Sequence, residues 1–496
     1  MLESELCEAV GKGDLDAIRS LLAAGADVHY VRPQGYTVMI DVMHGRSIAD
    51  DDQLIPILRL LIDRGADLDA VSDYGESALS VASNMGRFDA VALLLDSGSE
   101  PAPLEWTPLM RSVALGSIED VCSRIDEGED LAARDRWERT PWLLSLQTGD
   151  VTKAERLLKA GAQKTDRGRC GRTALMFPIT NGHSAMLKWL LEQGIEPNEL
   201  DDFGGSALIQ AAENGDADSV RMLLDAGADL HHRHYSQTAI QAAGSLDVVR
   251  ILVNAGADLN DLDGEMRAAL THLPHDGNIA CTGTQYQAAK HRIFGNANPQ
   301  RMNFPFWKAM IASGATAYQA RAHFEPDKSG GDAVWCFNRF GKSINELPDG
   351  RIIEIGGEHE DFYDEDFCIY NDVIVHHGDG TFDLYGYPAS VFPPTDFHSA
   401  TLVGKFIYII GGLGYSGERT FGATPVYRLD IETLVIEKVE TSGILPGWIH
   451  EHKAKLVDHG IEVTGGQVCR FVNGEELIEA NSNPYTLDLA TLVWSR

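Results

Sequence analysis

The sequence predicts an α-helical repeat solenoid over its first half and an all-β module of four-stranded units over its last third, on three observations. Glycines closing Leu-rich segments recur at Gly25, Gly65, Gly98, Gly128, Gly161, Gly194, Gly227 and Gly256, at intervals of 40, 33, 30, 33, 33, 33 and 29. A Thr or Ser marker keeps the same register at Thr37, Ser77, Thr107, Thr140, Thr173, Ser206 and Thr238. From about residue 333 the texture changes, and double glycines fall at Gly356-Gly357, Gly411-Gly412 and Gly465-Gly466, spaced 55 and 54 residues apart.

Each marker has a physical reason. Thr and Ser cap helix starts, Pro fits the first helical turn, and Gly accepts the left-handed conformation that ends a helix. Between the markers lies chain enough for two short helices, with Leu-Leu pairs to bury against neighbouring repeats. The pattern resembles the ankyrin repeat family, with about eight repeats over residues 1–263 and a truncated cap that carries the solenoid to about residue 275. The family's Thr-Pro-Leu-His motif lacks its His throughout, where Met110, Leu143, Met176, Ile209 and Gln241 stand instead. That His links adjacent repeats in the family, so its loss implies a less rigid solenoid. The second repeat carries seven extra residues around RSIADDDQL, an expected acidic loop.

In the β half, three copies align as SINELPDGRIIEIGG, HSATLVGKFIYIIGG and HKAKLVDHGIEVTGG, each followed by a loop, a third strand (NDVIVHH, TPVYRLD, NPYTLDL) and a fourth. Alternating apolar residues punctuated by Gly and Asn/Asp turns read as strands. Four strands, a double glycine after the second and a Tyr-x-x-Asp in the third resemble the kelch repeat, the blade of one propeller class. Over residues 333–496 this implies three four-stranded blades, a partial propeller or one completed by a second copy, since propellers usually have four to eight blades. AVWCFNRF is expected to supply one more strand. Residues 276–332 are expected to form a helical bridge, with helices in NFPFWKAMIAS and TAYQARAHF around Gly314 and with Phe306, Trp307 and Tyr318 buried.

Composition bounds the function. The 496 residues carry a formal charge of −33, of which −21 falls in residues 1–270 and −12 in the remainder. Such a field repels nucleic acid and anionic membrane and favours a basic protein partner. Residues 131–190 are the exception at +6, with Lys153, Arg156, Lys159, Lys164, Arg167, Arg169 and Arg172 as a candidate basic patch, read first as a solvated face. Seven cysteines without a Cys-x-x-Cys pair fit a reducing cytoplasm better than a disulfide frame or zinc knuckle. No signal peptide or membrane-length apolar run is read.

Ankyrin proteins typically bind through the hairpin fingers between repeats and the concave face beside them. Three residues before the Thr/Ser marker stand Tyr74, Leu104, Trp137, Cys170, Phe203 and Tyr235. The aromatic four, Tyr74, Trp137, Phe203 and Tyr235, are the candidate protein-binding residues, since rings are favoured interface anchors. In the β half, Glu358, His359, Glu360, Asp361 and Asp364 form an acidic loop cluster, and His398, His450 and His452 lie near it in type. Glu360, Asp364 and Cys368 keep the spacing of the Glu-x3-Asp-x3-His motif of plant kelch-type specifier proteins that hold iron, but Cys368 replaces the His. His398 and His452 each precede their first double-glycine residue by 13 positions, as Ser343 does, which argues for a shared structural role.

No phosphate loop, dinucleotide fingerprint, nucleophile elbow or His-Glu-x-x-His helix is present. The sequence therefore reads as a binding protein, not an enzyme, with no cofactor or resident metal. It is expected to be an adaptor or sequestering scaffold acting through ankyrin fingers and kelch loops, or through a homodimer of the kelch-like module. The alternatives are an immunity-type inhibitor of a basic toxin or nuclease, and a metal-dependent enzyme on the kelch loop face.

Overall fold

The computed structural model describes residues 2–45, 51–262, 264–326, 331–360 and 367–496. Two compact units divide the chain, Met1–Ala257 and Asp258–Arg496. Residues 276–332, read as a bridge, lie within the second of these units. Part of the acidic loop of the second repeat, residues 46–50, and the loop residues Asp361 and Asp364 lie outside the described residues.

The first unit is built of helix pairs: α1 (Leu2–Lys12) with α2 (Leu15–Ala23), α3 (Val38–His44) with α4 (Asp51–Asp63), α5 (Ala78–Asn84) with α6 (Phe88–Asp96), and α7 (Pro108–Leu115) with α8 (Ile118–Asp126). The series continues with α9 (Pro141–Thr148) and α10 (Val151–Ala160), α11 (Met176–Thr180) and α12 (Ser184–Glu192), α13 (Ala207–Glu213) and α14 (Ala217–Asp225). It ends on α15 (Leu246–Asn254), whose partner segment after Thr238 is a run of turns.

The two sequence markers do the work their chemistry implies. All eight recurring glycines have positive φ, from 76° at Gly194 to 111° at Gly161. Ser77, Thr107, Thr140 and Ser206 each occupy the N-cap and accept a hydrogen bond from the backbone three residues on. Among the described residues, the buried hydroxyls of Thr37 and Thr173 meet no hydrogen-bond partner. Apolar side chains from Leu6 to Leu104 form one continuous core under the first repeats.

In the second unit, three sheets follow the three sequence copies, antiparallel but for one edge strand of the third. β1 (Gln300–Arg301) edges the first sheet, which continues through β2 (Ser343–Glu346), β3 (Ile352–Ile355), β6 (Val373–His376) and β7 (Phe382–Gly386) in the order β1-β7-β6-β3-β2. The pair β4 (Glu358–His359) and β5 (Cys368–Ile369) stands apart. The second sheet contains β8 (Ser399–Val403), β9 (Phe406–Ile410), β10 (Val426–Asp430) and β11 (Ile436–Lys438) in simple meander order. The third contains β12 (Ser442–Gly443), β14 (Lys453–Val457), β15 (Gly460–Thr464), β18 (Tyr485–Asp488) and β19 (Val493–Ser495), with β12 running parallel to β19. A separate three-stranded sheet is formed by β13 (Trp448–His450), β16 (Gln467–Val472) and β17 (Glu475–Ala480).

The strand-start residues join one sheet to the next. His398 and Ser343 share a 2.9 Å hydrogen bond, and Ser399 meets His452 at 2.8 Å. The double glycines permit the same close approach: Gly357 N–H donates to Thr395 O and Gly412 N–H to Ile449 O. A Cβ on Gly356 or Gly411 would strike those carbonyl oxygens. The shared structural position of Ser343, His398 and His452, legible as a spacing, is thus a seam between sheets.

Two expectations are corrected. AVWCFNRF is not a strand, apart from a single bridge from Phe340 to Glu358. Trp335, Cys336 and Phe337 are buried with Tyr286, Phe306 and Trp307, and Trp335 stacks on Trp307 at 4.9 Å. Large apolar side chains here fill the space between helices and sheet, where a strand's alternation would have exposed half of them. The two helices around Gly314 are present as α18 (Pro305–Ser313) and α19 (Ala317–Phe324), after α16 (Gly264–Thr271) and α17 (Gly283–Ala289). Phe306 and Trp307 are buried in them, but Tyr318 is exposed.

Candidate binding groove

The finger tips are tight turns, as at Ser72–Glu76, where Gly75 N–H donates to Ser72 O and Ser72 N–H to Glu76 O. Backbone hydrogen bonds run from finger to finger: Asp73 N–H to Gln34 O, Arg136 N–H to Leu104 O, Arg169 N–H to Trp137 O and Asp202 N–H to Cys170 O. This ladder ties neighbouring repeats together without the family's His.

The four aromatic finger residues divide into two kinds. Tyr74, Phe203 and Tyr235 stand 70%, 58% and 75% exposed. Trp137 is half-buried: its Nε1–H donates to Ser80 O at 3.2 Å, and the Arg169 guanidinium lies 5.4 Å from its ring centroid. Leu104, at the equivalent position, is buried, and Cys170 is exposed.

The bond from Trp137 belongs to a set that a regular solenoid, with contacts only between neighbours, does not make. The end of α5 presents the carbonyls left over at a helix C-terminus, and residues two and three repeats further on donate to them, adding to the Gly86 N–H that Ser83 O already accepts. Arg139 donates to Ser83 O at 2.8 Å, Gln147 to Asn84 O at 2.7 Å and Asn181 to Met85 O at 2.7 Å. Arg136 reaches Gly75 O at 2.6 Å. These bonds draw residues 74–85 and 136–181 together.

Arg139 anchors this closure. It is 2% exposed, pairs with Asp135 at 2.6 Å, and also reaches Ser83 Oγ and Gln147 Oε1 at 2.6 Å. Asp135 in turn accepts from the backbone N–H groups of Trp137 and Arg139 and from Trp106 Nε1. Burial lowers the Arg139 pKa despite its partner. Arg172 lies over Phe177 at 4.4 Å and donates to Met176 O and Thr180 Oγ1. Burial, then the charge of Arg139, brings its pKa down to about 10.

The remaining members of the basic set lie elsewhere. Lys153 is buried, donating to Val113 O and Gly116 O at 3.0 and 2.8 Å, not solvated as the sequence implied. Arg156 pairs with Asp126 and Lys159 with Glu155 on α10, Lys164 donates to Gln193 O, and Arg167 pairs with Glu199. Only Arg169 and Arg172 reach the groove, where they meet Arg136 and Arg139, which the charge count along the chain had not singled out. Between these residues and Tyr74, Glu76, Trp137 and Phe177 lies a cavity of 510 Å³.

In the second unit, Glu358 is half-buried and its pKa is raised to about 7 by burial and the nearby Asp396. His359 is buried with Nδ1 at 3.0 Å from Asn338 O, whereas Glu360 is exposed. Cys368 is buried, and burial pushes its thiol pKa up. Burial lowers the pKa of His398 to about 4 and of His452 to about 3, the latter also through His398 and His450. Among the described residues no three His, Cys, Asp or Glu side chains are grouped to hold a metal ion, and no helix is long and apolar enough to cross a membrane.

A family model for ankyrin repeats matches in three copies, over residues 6–103, 109–201 and 187–263, half of the chain. The chain belongs to the ankyrin repeat family. The chain is 31% identical over 94 residues to an ankyrin repeat protein of Acanthamoeba polyphaga mimivirus, an alignment spanning 18% of this chain and 56% of the viral protein. The chain thus spans just over half the length of that curated relative. A crystal structure of the human ASB11 ankyrin repeat domain matches at 20% identity with a TM-score of 0.24, covering 51% of this chain and 97% of that one.

Proposed function

We propose that this ankyrin repeat protein is a binding scaffold that holds a protein partner along its fingers and concave groove. The observation that carries the reading is the row of exposed rings: Tyr74, Phe203 and Tyr235 stand at finger tips with more than half their surface in water. Large rings are costly to leave solvated and valuable to bury at the centre of an interface. The charge of −33 favours a partner whose own surface is largely basic, which is also the reading under which the protein acts in the cytoplasm as a sequestering inhibitor of a basic toxin or nuclease.

The second unit serves as a further binding surface, its three sheets acting as kelch-like blades. A second copy of the chain is its proposed partner, because the hairpin β16–β17 exposes Phe471, Leu477 and Ile478, and three blades are fewer than propellers usually close with. Affinity purification from source-cell extract tests the scaffold reading. The wild-type chain should retain a protein that the triple variant Tyr74→Ala, Phe203→Ala, Tyr235→Ala loses at unchanged helix content. Equal retention by both would overturn the role of the fingers.

A further inference from the structure

The groove cavity has a chemistry opposite to that of the chain around it. Arg136, Arg139, Arg169 and Arg172 converge on it, and Glu76 is the carboxylate that lines it. Glu76 is itself engaged, accepting from Tyr36 OH at 2.9 Å and lying 3.3 Å from His44. Arg139 is already taken up by Asp135, Ser83 and Gln147, so it shapes the wall and offers no donor. The other three differ. Among the described residues no carboxylate pairs with Arg136, Arg169 or Arg172: the first donates to a backbone carbonyl, the second rests on Trp137 and the third donates to Met176 O and Thr180 Oγ1. A guanidinium carries five donors in a fixed fork, so each keeps capacity for a ligand.

Gathering three unpaired cations around one cavity, in a chain with 74 acidic residues and 41 basic ones, is electrostatically unfavourable unless an anion completes it. The rings also prepare the site: Trp137 and Phe177 hold the faces of Arg169 and Arg172 at 5.4 and 4.4 Å, which limits their rotamers and lowers the ordering cost of binding. A volume of 510 Å³ is within the range of ordinary ligand sites.

We propose that this cavity, between the finger at Tyr74 and those at Trp137 and Cys170, binds an oxyanion through Arg136, Arg169 and Arg172. The group is a carboxylate or phosphate, carried on an acidic peptide side chain or supplied as a free anion. The lowered pKa of Arg172 agrees, since a buried guanidinium beside another one is relieved by a bound negative charge. The inference goes beyond the scaffold reading: an acidic residue would seat in the groove even where the partner is basic overall, and the site can fail while the fingers still bind.

The test is calorimetric titration of the full chain with sodium phosphate, citrate, an amidated tetraglutamate peptide, a phosphoserine peptide of the same length and a tetraglutamine control. Tetraglutamate or the phosphopeptide should bind, tetraglutamine should not, and 0.5 M salt should weaken the binding, an effect on the order of a full Debye screening of exposed charges. Arg169→Gln should lower affinity about tenfold or more, the loss of a charge-assisted hydrogen bond, at unchanged melting temperature; Arg136→Gln should lower affinity as far, with a small fall in melting temperature because it also gives up the bond to Gly75 O. Arg221→Gln, on an exposed helix paired with Asp218, should change nothing. Phosphate or citrate binding as tightly as the peptides identifies a free anion as the ligand; tighter peptide binding identifies an acidic side chain. Equal heats from glutamate and glutamine peptides, affinities unmoved by both arginine variants, or no binding of any of these anions at millimolar concentration would overturn the proposal.

Discussion

Replacing Arg139 with Met should be among the most damaging single changes in the ankyrin unit, although the repeat pattern does not mark it. The side chain is 2% exposed and its partner Asp135 is 4% exposed. Met fills most of the volume but removes five donated hydrogen bonds, leaving Gln147 Oε1 without a donor and the Asp135 carboxylate without its counter-charge. Removing one partner of a buried ion pair typically costs about 3–5 kcal/mol. Asp135 keeps two backbone donors and Trp106 Nε1, so the lower end, about 3 kcal/mol, is expected. Urea unfolding followed by helical circular dichroism measures it. Hydrogen exchange locates it, with protection lost at Ser77–Met85, where the carbonyls are held from later repeats, and retained in α14. The double variant Asp135→Asn, Arg139→Met should be less unstable than the sum of its singles, because the stranded charge is gone. A loss below about 1 kcal/mol, with exchange at Ser77–Met85 unchanged, would refute the closure of the groove as a stabilising contact.

Trp137→Phe should cost about 1 kcal/mol, the bond to Ser80 O, whereas Tyr74→Ala, Phe203→Ala and Tyr235→Ala should each stay within about 0.5 kcal/mol of wild type; melting curves separate the two classes. In the second unit, His398 and His452 are held neutral with pKa values near 4 and 3, below the ordinary 6.5. The unfolded chain therefore takes up their protons first, so stability is full above pH 6.5 and falls as the pH drops toward 4, by up to about 1.4 kcal/mol per unit for each histidine. His398→Gln should flatten that fall between pH 6.5 and 5; an unaltered slope would show that other groups govern it. Sedimentation of the full chain should give a dimer that Phe471→Asp converts to monomer, and a monomeric wild-type chain would remove the second copy as the partner of the β unit.

Much of the fold is legible because it is periodic. Gly161 and its seven equivalents end helices for a steric reason that any single sequence exposes, and the Thr/Ser caps give the other phase. The double glycines and the 13-residue spacing of His398 and His452 read equally well, because close approach of sheet to sheet admits few residues. What escaped was aperiodic or long-range. The segment at Trp335 looked like a strand because burial on all sides and β texture share apolar residues. The hairpin β16–β17 carried a usable signal, the Asn473-Gly474 turn with φ of 55° and 91°, which the repeat alignment hid inside a loop. The groove closure had no local signal at all: Arg139, Gln147 and Asn181 act on carbonyls 56 to 96 residues away, and backbone acceptors leave no mark in side-chain sequence. For the same reason the basic run at Lys153–Arg172 read as one patch, whereas helix geometry sends Lys153 inward and only Arg169 and Arg172 to the groove.

Hydrogen exchange of the chain with and without its captured protein partner tests the scaffold account most directly. Binding along the fingers and groove predicts new protection at Ser72–Glu76, at residues 135–139 and 168–172, and at residues 201–205 and 233–237, with the outer helices α10, α12 and α14 unchanged. Protection confined to residues 258–496, or spread over the outer helices with the fingers unaffected, would contradict it.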